Sequence, residues 1–99
     1  MISLKINHIR KKLLRTAIIA EFDAVNLYEE EAALTTNKQI KRILFDVAKA
    51  EKEHVSEFQT FLLGFDMEQS EALEEGKKRS RRTQFIIFVS FVYICLRLS

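Results

Sequence analysis

The sequence predicts an all-α protein, in which an antiparallel two-helix hairpin and a short C-terminal helix form one protomer and dimerisation completes a four-helix bundle. The chain of 99 residues contains no proline and only two glycines, so few residues interrupt long helices. Apolar residues recur at intervals of three and four along two long stretches, which is the spacing of amphipathic helices. A chain this short closes only a modest core by itself, which favours association with a second copy.

The first helix is expected from about Arg10 to Leu34, where no helix breaker interrupts the apolar spacing. Glu21 lies within the apolar stripe of this helix, and Tyr28 lies two turns further along the same face. A carboxylate in a stripe that should be buried is costly unless it is paired or binds a metal. Glu21 is therefore a candidate functional residue.

The second helix is expected to begin near Asn37 and to end near Gly64. Thr36 and Gln39 have the spacing of a capping box, and a glycine can adopt the left-handed conformation that ends many helices. Two helices of about 25 residues that are joined by so short a loop lie antiparallel.

Glu51 and His54 are the candidate ligands of the second helix. They lie three residues apart, so they project from one face of the helix, within its apolar stripe. Glu21 lies about as far before the loop as Glu51 lies after it, so an antiparallel hairpin should bring the three side chains together. One explanation is a buried ion pair between His54 and a carboxylate. That pair would leave one of the two acids without a partner, which favours a metal site.

The three candidate ligands amount to half of a dinuclear site. Bundles that hold two metals with carboxylates take one Glu from each of two helices and one Glu-x-x-His motif from each of two others. This chain supplies one of each, so a complete site requires two chains that face each other through Glu21, Glu51 and His54. Oxygen-rich ligation with one imidazole per metal suits iron or manganese better than zinc or copper.

A third, weaker helix is expected from Met67 to about Lys78, with Asp66 as its N-terminal cap. Gly76 and the basic run at residues 77–82 are expected to form a hinge. The chain would then consist of a helical domain at residues 1–79 and a basic hinge with an apolar tail at residues 80–99.

The apolar tail permits several interpretations. Residues 85–96 contain no charged side chain. A helix of this length spans about 18 Å, less than the roughly 30 Å hydrocarbon core of a bilayer. Membrane contact through residues 83–98, packing against another chain, and a tail without a selected role all stay open. The β-branched and aromatic side chains also permit a strand.

Composition disfavours several classes of function. The net charge of +2 is too small to imply binding of nucleic acid. Cys95 is the only cysteine, so one chain forms neither an internal disulfide nor a thiolate metal cluster. The N-terminus lacks the continuous apolar stretch of a secretory signal, and a cytoplasmic location is expected.

The residues from Ala17 to Glu29 include Glu21 and Tyr28, and the motif Glu51-Lys52-Glu53-His54 begins thirty residues after Glu21. This pattern resembles that of the encapsulated ferritin family, whose members are short ferritin-like proteins related to rubrerythrin. It is particularly similar to the ferritin-like domain that is fused to some archaeal encapsulin shells. The resemblance covers about residues 13–78 and includes the segments 43–48 and 55–58.

The resemblance implies a ferroxidase, which oxidises Fe2+ to Fe3+ at a di-iron centre between two protomers. Glu21, Glu51 and His54 would be its ligands, with Tyr28 beside them. The resemblance also implies a homodimer, a ring of dimers, and passage of the oxidised iron into an encapsulin nanocompartment in the cytoplasm, for iron storage and detoxification.

Some members of that family carry an acidic pair at an outer site of iron entry. This chain has Ala20 and Asp23 there, so an entry site would depend on Asp23 alone. Two other functions stay open. One is a non-catalytic helical oligomerisation module with a membrane-associated tail. The other is a rubrerythrin-like peroxide reductase, which would receive electrons from another protein because this chain has no second cysteine for an iron-sulfur domain.

Overall fold

The computed structural model describes residues 2–98, and this part of the chain consists of three α-helices without a strand. The helices are α1 (Ile2–Leu34), α2 (Lys38–Phe65) and α3 (Met67–Leu98). The chain divides into two compact units between Asp66 and Met67, so α1 and α2 form the first unit and α3 forms the second. The all-α class with three helices is confirmed, whereas a strand at residues 85–96 is wrong because these residues are helical.

The hairpin of α1 and α2 buries a narrow line of apolar side chains between two antiparallel helices. The alanines in this line are the most completely buried, at 0% and 1% exposure, and their small size lets the two backbones lie close together. Larger side chains on either side of the line stay at least partly exposed in the single chain. The buried apolar residues are Val25 and Ala32 of α1 and Ala48, Val55 and Leu62 of α2.

The loop between α1 and α2 ends in a helix cap formed by Asn37. The Asn37 backbone is extended, and its side-chain oxygen accepts hydrogen bonds from the backbone N–H groups of Gln39 and Ile40, both at 3.0 Å. The predicted capping box of Thr36 and Gln39 is therefore wrong. Asn37 directly precedes the first helical residue, so its short side chain reaches the second and third N–H groups of α2.

The predicted cap at Gly64 is also wrong, because Gly64 lies inside α2 and no described glycine has a positive φ. The helix ends one residue later, before Asp66, whose backbone is extended. The Asp66 carboxylate is only 8% exposed and accepts a hydrogen bond from Arg15 Nη2 at 2.6 Å. This ion pair joins the end of α2 to the first half of α1.

α3 is much longer than the short helix expected from the sequence, with 32 residues. The hinge expected at residues 76–82 is helical. Lys77 pairs with Glu74 at 3.2 Å and Lys78 pairs with Glu75 at 3.3 Å, and such pairs three residues apart support a helix through a charged segment. None of the helices in residues 2–98 combines the length and hydropathy needed to cross a membrane. The division into a domain at 1–79 and a tail at 80–99 stays a prediction, and Met1 and Ser99 lie outside the described residues.

Candidate metal centre

Three potential metal ligands converge near the middle of the hairpin, where α1 presents Glu21 and α2 presents Glu51 and His54. His54 Nδ1 lies 3.1 Å from Glu51 Oε2 and 3.6 Å from Glu21 Oε2. One ligand atom from each residue lies within 4.8 Å of both others. The convergence follows from the antiparallel arrangement, which sets the middle of α1 beside the middle of α2.

The cluster lies at the edge of the hairpin's buried line. The side chains of Glu21 and Glu51 are 20% and 19% exposed, whereas that of His54 is 47% exposed. The apolar stripe that was expected to carry His54 is therefore only partly covered within one chain. The apolar arc of α2 is wider than the surface that α1 alone can cover, so His54 lies on the part of the arc that α1 leaves open.

The two carboxylates carry negative charge that no neighbouring cation of the described chain balances. No lysine or arginine in residues 2–98 forms an ion pair with Glu21 or Glu51, and the His54 ring is the basic group that lies beside them. Two partly buried carboxylates close together attract a divalent cation strongly, because the local dielectric constant is lower than that of water.

The two separations that involve His54 fit donors of one metal ion. A cation with bonds of about 2.1 Å would hold its donors roughly 3.0 to 3.6 Å apart at bond angles of about 90° to 120°. The observed 3.1 Å and 3.6 Å lie in this range. The same contact between His54 and Glu51 is also a hydrogen bond if Nδ1 carries a proton, so a metal would displace that proton.

Two other residues named from the sequence lie near the cluster on α1 but do not join it. Tyr28 is partly buried two turns beyond Glu21, and its hydroxyl makes no hydrogen bond within residues 2–98. Asp23 is exposed, and it is not part of the metal-ligand group formed by the described residues.

The face of α2 that carries His54 is also strongly apolar. Phe61 follows His54 by two helical turns and Ile43 precedes it by about three, so all three side chains point in similar directions. Phe61 is 66% exposed and Ile43 is 62% exposed. A single chain thus presents His54 on the same side of α2 as large apolar side chains that stay exposed.

Sequence reasoning did not find the two ion pairs that join α1 to α2. Lys52 Nζ lies 2.6 Å from Glu29 Oε1, and the Arg15–Asp66 pair lies about four turns further along the hairpin. These ion pairs could have been predicted from the relative register of the two helices, because that register places opposite charges beside each other. Glu29 belongs to a run of three acidic residues, and Asp66 was expected only as the cap of α3.

Comparisons with known proteins support this description. A sequence profile of the rubrerythrin family matches residues 12–91. A ferritin-like-encapsulin shell fusion protein of Pyrococcus furiosus is 49% identical over 65 residues, which are 66% of this chain and 19% of that protein. An encapsulin nanocompartment cargo protein of Myxococcus xanthus is 35% identical over 68 residues, which are 69% of this chain and 52% of that protein. The chain thus spans between a fifth and about half of the length of these curated relatives.

A solved structure matches over a larger share of its own length. The crystal structure of the encapsulated ferritin domain from Pyrococcus furiosus superposes with a TM-score of 0.75. The match covers 77% of this chain and 78% of that chain, at 42% sequence identity.

Proposed function

The chain belongs to the rubrerythrin family, and from this premise we propose that it is a ferroxidase, which oxidises Fe2+ to Fe3+ at a di-iron centre between two protomers. The resemblance to encapsulated ferritins is confirmed by the structural match to the Pyrococcus furiosus domain. The single observation that carries the proposal is the convergence of Glu21, Glu51 and His54 at one edge of the hairpin.

The donor set suits iron as substrate. Glu21 and Glu51 supply hard, anionic oxygens, which stabilise the more highly charged Fe3+ product more than the Fe2+ substrate. His54 supplies one neutral nitrogen and fixes the geometry of the site. Oxidation of two Fe2+ ions releases two electrons. Together with two protons, these electrons reduce one O2 to H2O2 or, with peroxide as the oxidant, one H2O2 to two molecules of water.

A second protomer is required by the number of ligands. One chain offers two carboxylates and one imidazole, whereas two irons in a helical bundle need four carboxylates and two imidazoles. A two-fold axis beside His54 would supply the missing set and cover the apolar surface that includes Phe61 and Ile43. Glu51 lies 3.1 Å from His54, so the two residues would hold the same iron.

We further propose that dimers form a ring and deliver Fe3+ to an encapsulin nanocompartment in the cytoplasm. This step is supported by relatives that are described as a shell fusion and as an encapsulin cargo protein. An open assembly of helical hairpins has no interior that encloses a mineral, so a separate compartment would complete iron storage and detoxification.

Oxidation of Fe2+ in air tests the proposal, with the absorbance of the ferric product as the signal. Glu51→Ala and His54→Ala are expected to slow oxidation by at least about tenfold, because each removes one of the three ligands that a chain supplies to the site. Glu53→Ala is the matched control, since Glu53 lies between the two in sequence but is exposed and outside the cluster. Equal oxidation rates for the parent and the two ligand variants would refute the ferroxidase.

Binding of Mn2+ separates the ferroxidase from a metal-free oligomerisation module. We expect one Mn2+ per chain, with release of protons and weaker affinity at lower pH, because the metal competes with protons for His54 and the carboxylates. The oligomerisation module would bind no Mn2+ stoichiometrically, and its dimer would be indifferent to a chelator.

The family match favours one second candidate, a rubrerythrin-like peroxide reductase. This enzyme would consume H2O2 over many turnovers when an external electron donor reduces its iron again. A ferroxidase would instead stop after its Fe2+ is exhausted. Measuring H2O2 consumption with and without a chemical reductant distinguishes the two.

A further inference from the structure

The second half of α3 is an apolar helix that is exposed on all sides. Residues 85–96 contain no charged side chain, and from residue 85 to 98 eleven large apolar side chains are between 37% and 83% exposed. These include consecutive residues, so the apolar surface surrounds the helix rather than forming one stripe. They are Phe85, Ile86, Ile87, Phe88, Val89, Phe91, Val92, Tyr93, Ile94, Leu96 and Leu98.

A surface of this shape favours lipid over a folded protein partner. A partner helix or groove covers only one side of a helix. A helix that docks on a protein therefore has one apolar face and one polar face. A helix that is apolar on every side needs a medium that surrounds it, and the acyl region of a bilayer is such a medium.

A cluster of cations precedes the apolar segment on the same helix. Lys77 and Lys78 pair with acidic side chains one turn earlier, but no carboxylate within residues 2–98 pairs with Arg79, Arg81 or Arg82. Three uncompensated guanidinium groups within four residues repel each other. An anionic surface would neutralise them, and arginines attract anionic headgroups when they lie next to a membrane-bound segment.

The far end of the segment carries a further cation. Arg97 lies with its guanidinium carbon 5.4 Å from the centre of the Tyr93 ring. Arginine and tyrosine both have an apolar body and a polar tip, and both are typical of the boundary between headgroups and acyl chains. The apolar segment is therefore flanked at both ends by side chains of the types that favour the headgroup boundary.

We propose that α3 binds an anionic lipid surface, with Arg79, Arg81 and Arg82 among the headgroups and residues 85–96 lying in the outer acyl region. The segment is about 18 Å long. If it lies nearly parallel to the surface, both flanking groups of cations reach headgroups at once. This interaction goes beyond iron oxidation and does not depend on it, so Glu51→Ala is expected to bind lipid as the parent does.

Flotation with vesicles tests the proposal on the full chain. Vesicles of phosphatidylglycerol and phosphatidylcholine in equal parts are compared with vesicles of phosphatidylcholine alone, at low and at high salt. A cation near an anionic surface strengthens binding roughly fivefold, so replacing Arg79, Arg81 and Arg82 by glutamine should weaken binding on the order of 100-fold.

The matched control removes the same charge from the hairpin. Lys38, Arg42 and Lys49 are exposed on α2, and no carboxylate within the described residues pairs with them. Replacing these three by glutamine is expected to change binding by less than about threefold, because only cations close to the surface contribute. An equal loss in both triple variants would overturn the proposal, since it would show attraction by net charge alone.

Tryptophan fluorescence locates the contact, because the chain contains no tryptophan. Phe88→Trp should shift its emission to shorter wavelength when anionic vesicles are added, since residue 88 leaves water. Phe22→Trp is the control; Phe22 is 51% exposed on α1, and its emission should not change on addition of vesicles.

Three results would overturn the proposal. One is failure of the folded chain to bind either kind of vesicle. Another is preferential binding to double-stranded DNA, which would assign the arginines to nucleic acid. The last is a pair of findings: the chain associates with itself without lipid and Phe88→Asp abolishes this association, while the emission of Phe88→Trp does not change when vesicles are added. Together they would assign the apolar segment to contacts between copies of the chain.

Discussion

Phe61→Ala is expected to weaken the proposed dimer at least about 100-fold while leaving the hairpin folded. Phe61 lies two turns after His54 on the same side of α2, and 66% of it is exposed in a single chain. A dimer that completes the metal centre around His54 must therefore cover Phe61 as well.

The magnitude follows from the exposed area. A phenylalanine of about 200 Å2 that is two-thirds exposed offers roughly 130 Å2, which at about 25 cal/mol per Å2 corresponds to about 3 kcal/mol. A two-fold axis uses Phe61 twice, so the upper limit is roughly 6 kcal/mol per dimer. If only half of this area is covered, the loss is about 3 kcal/mol, or roughly 100-fold in the dissociation constant.

The assay is sedimentation equilibrium over a range of protein concentrations, with and without Mn2+. Mn2+ should tighten the parent dimer, because a metal bound by ligands from both chains stabilises only the associated state. The matched control is Phe22→Ala. Phe22 is 51% exposed, but it lies about 100° around α1 from Glu21 and on the side away from His54.

Two results would refute this reasoning. Equal weakening by Phe61→Ala and Phe22→Ala would show that the dimer does not form through the His54 face. A parent chain that stays monomeric at all concentrations yet oxidises Fe2+ at full rate would show that one chain suffices.

Three further predictions concern stability, measured by chemical denaturation at one fixed protein concentration without metal. Asn37→Ala should destabilise the fold by about 1 kcal/mol and Thr36→Ala by much less, because Asn37 caps α2; the reverse order would contradict the cap. Arg15→Ala should cost about 1 to 3 kcal/mol because it removes a charged hydrogen bond to a nearly buried carboxylate. Lys52→Ala breaks an exposed pair and should cost less than about 1 kcal/mol. Gly64→Ala should stabilise by about 0.5 to 1 kcal/mol, since Gly64 is helical and a Cβ added there would meet no atom within 4 Å; a loss of stability would argue against this helical end.

The sequence by itself determined the hairpin and the membership of the candidate metal centre. Apolar spacing without breakers predicts two long helices, and one short loop requires them to lie antiparallel. The similar distances of Glu21 and Glu51 from the loop then predict which side chains meet. These inferences depend on helical geometry and chain connectivity, both of which are local properties.

Helix ends were harder to predict because several residues compete for each one. Thr36 and Asn37 are both good caps, and the choice between them depends on which residue adopts the extended backbone. Gly64 and Gly76 are tolerated inside helices when the surrounding turns continue. The basic run after Gly76 was expected to bend, but ion pairs with Glu74 and Glu75 support the helix through its first residues.

Only the tertiary structure decided how much of the candidate site one chain covers. Ala32 and Ala48 bring the two helices close together along a narrow line, and the relative rotation of the helices places Glu21 and Glu51 at the edge of that line. His54 then remains 47% exposed beside Phe61. The spacing of residues along one helix predicts the direction in which each side chain points. The exposure of that side chain also depends on the width and rotation of the neighbouring helix, which cannot be predicted from a local sequence pattern.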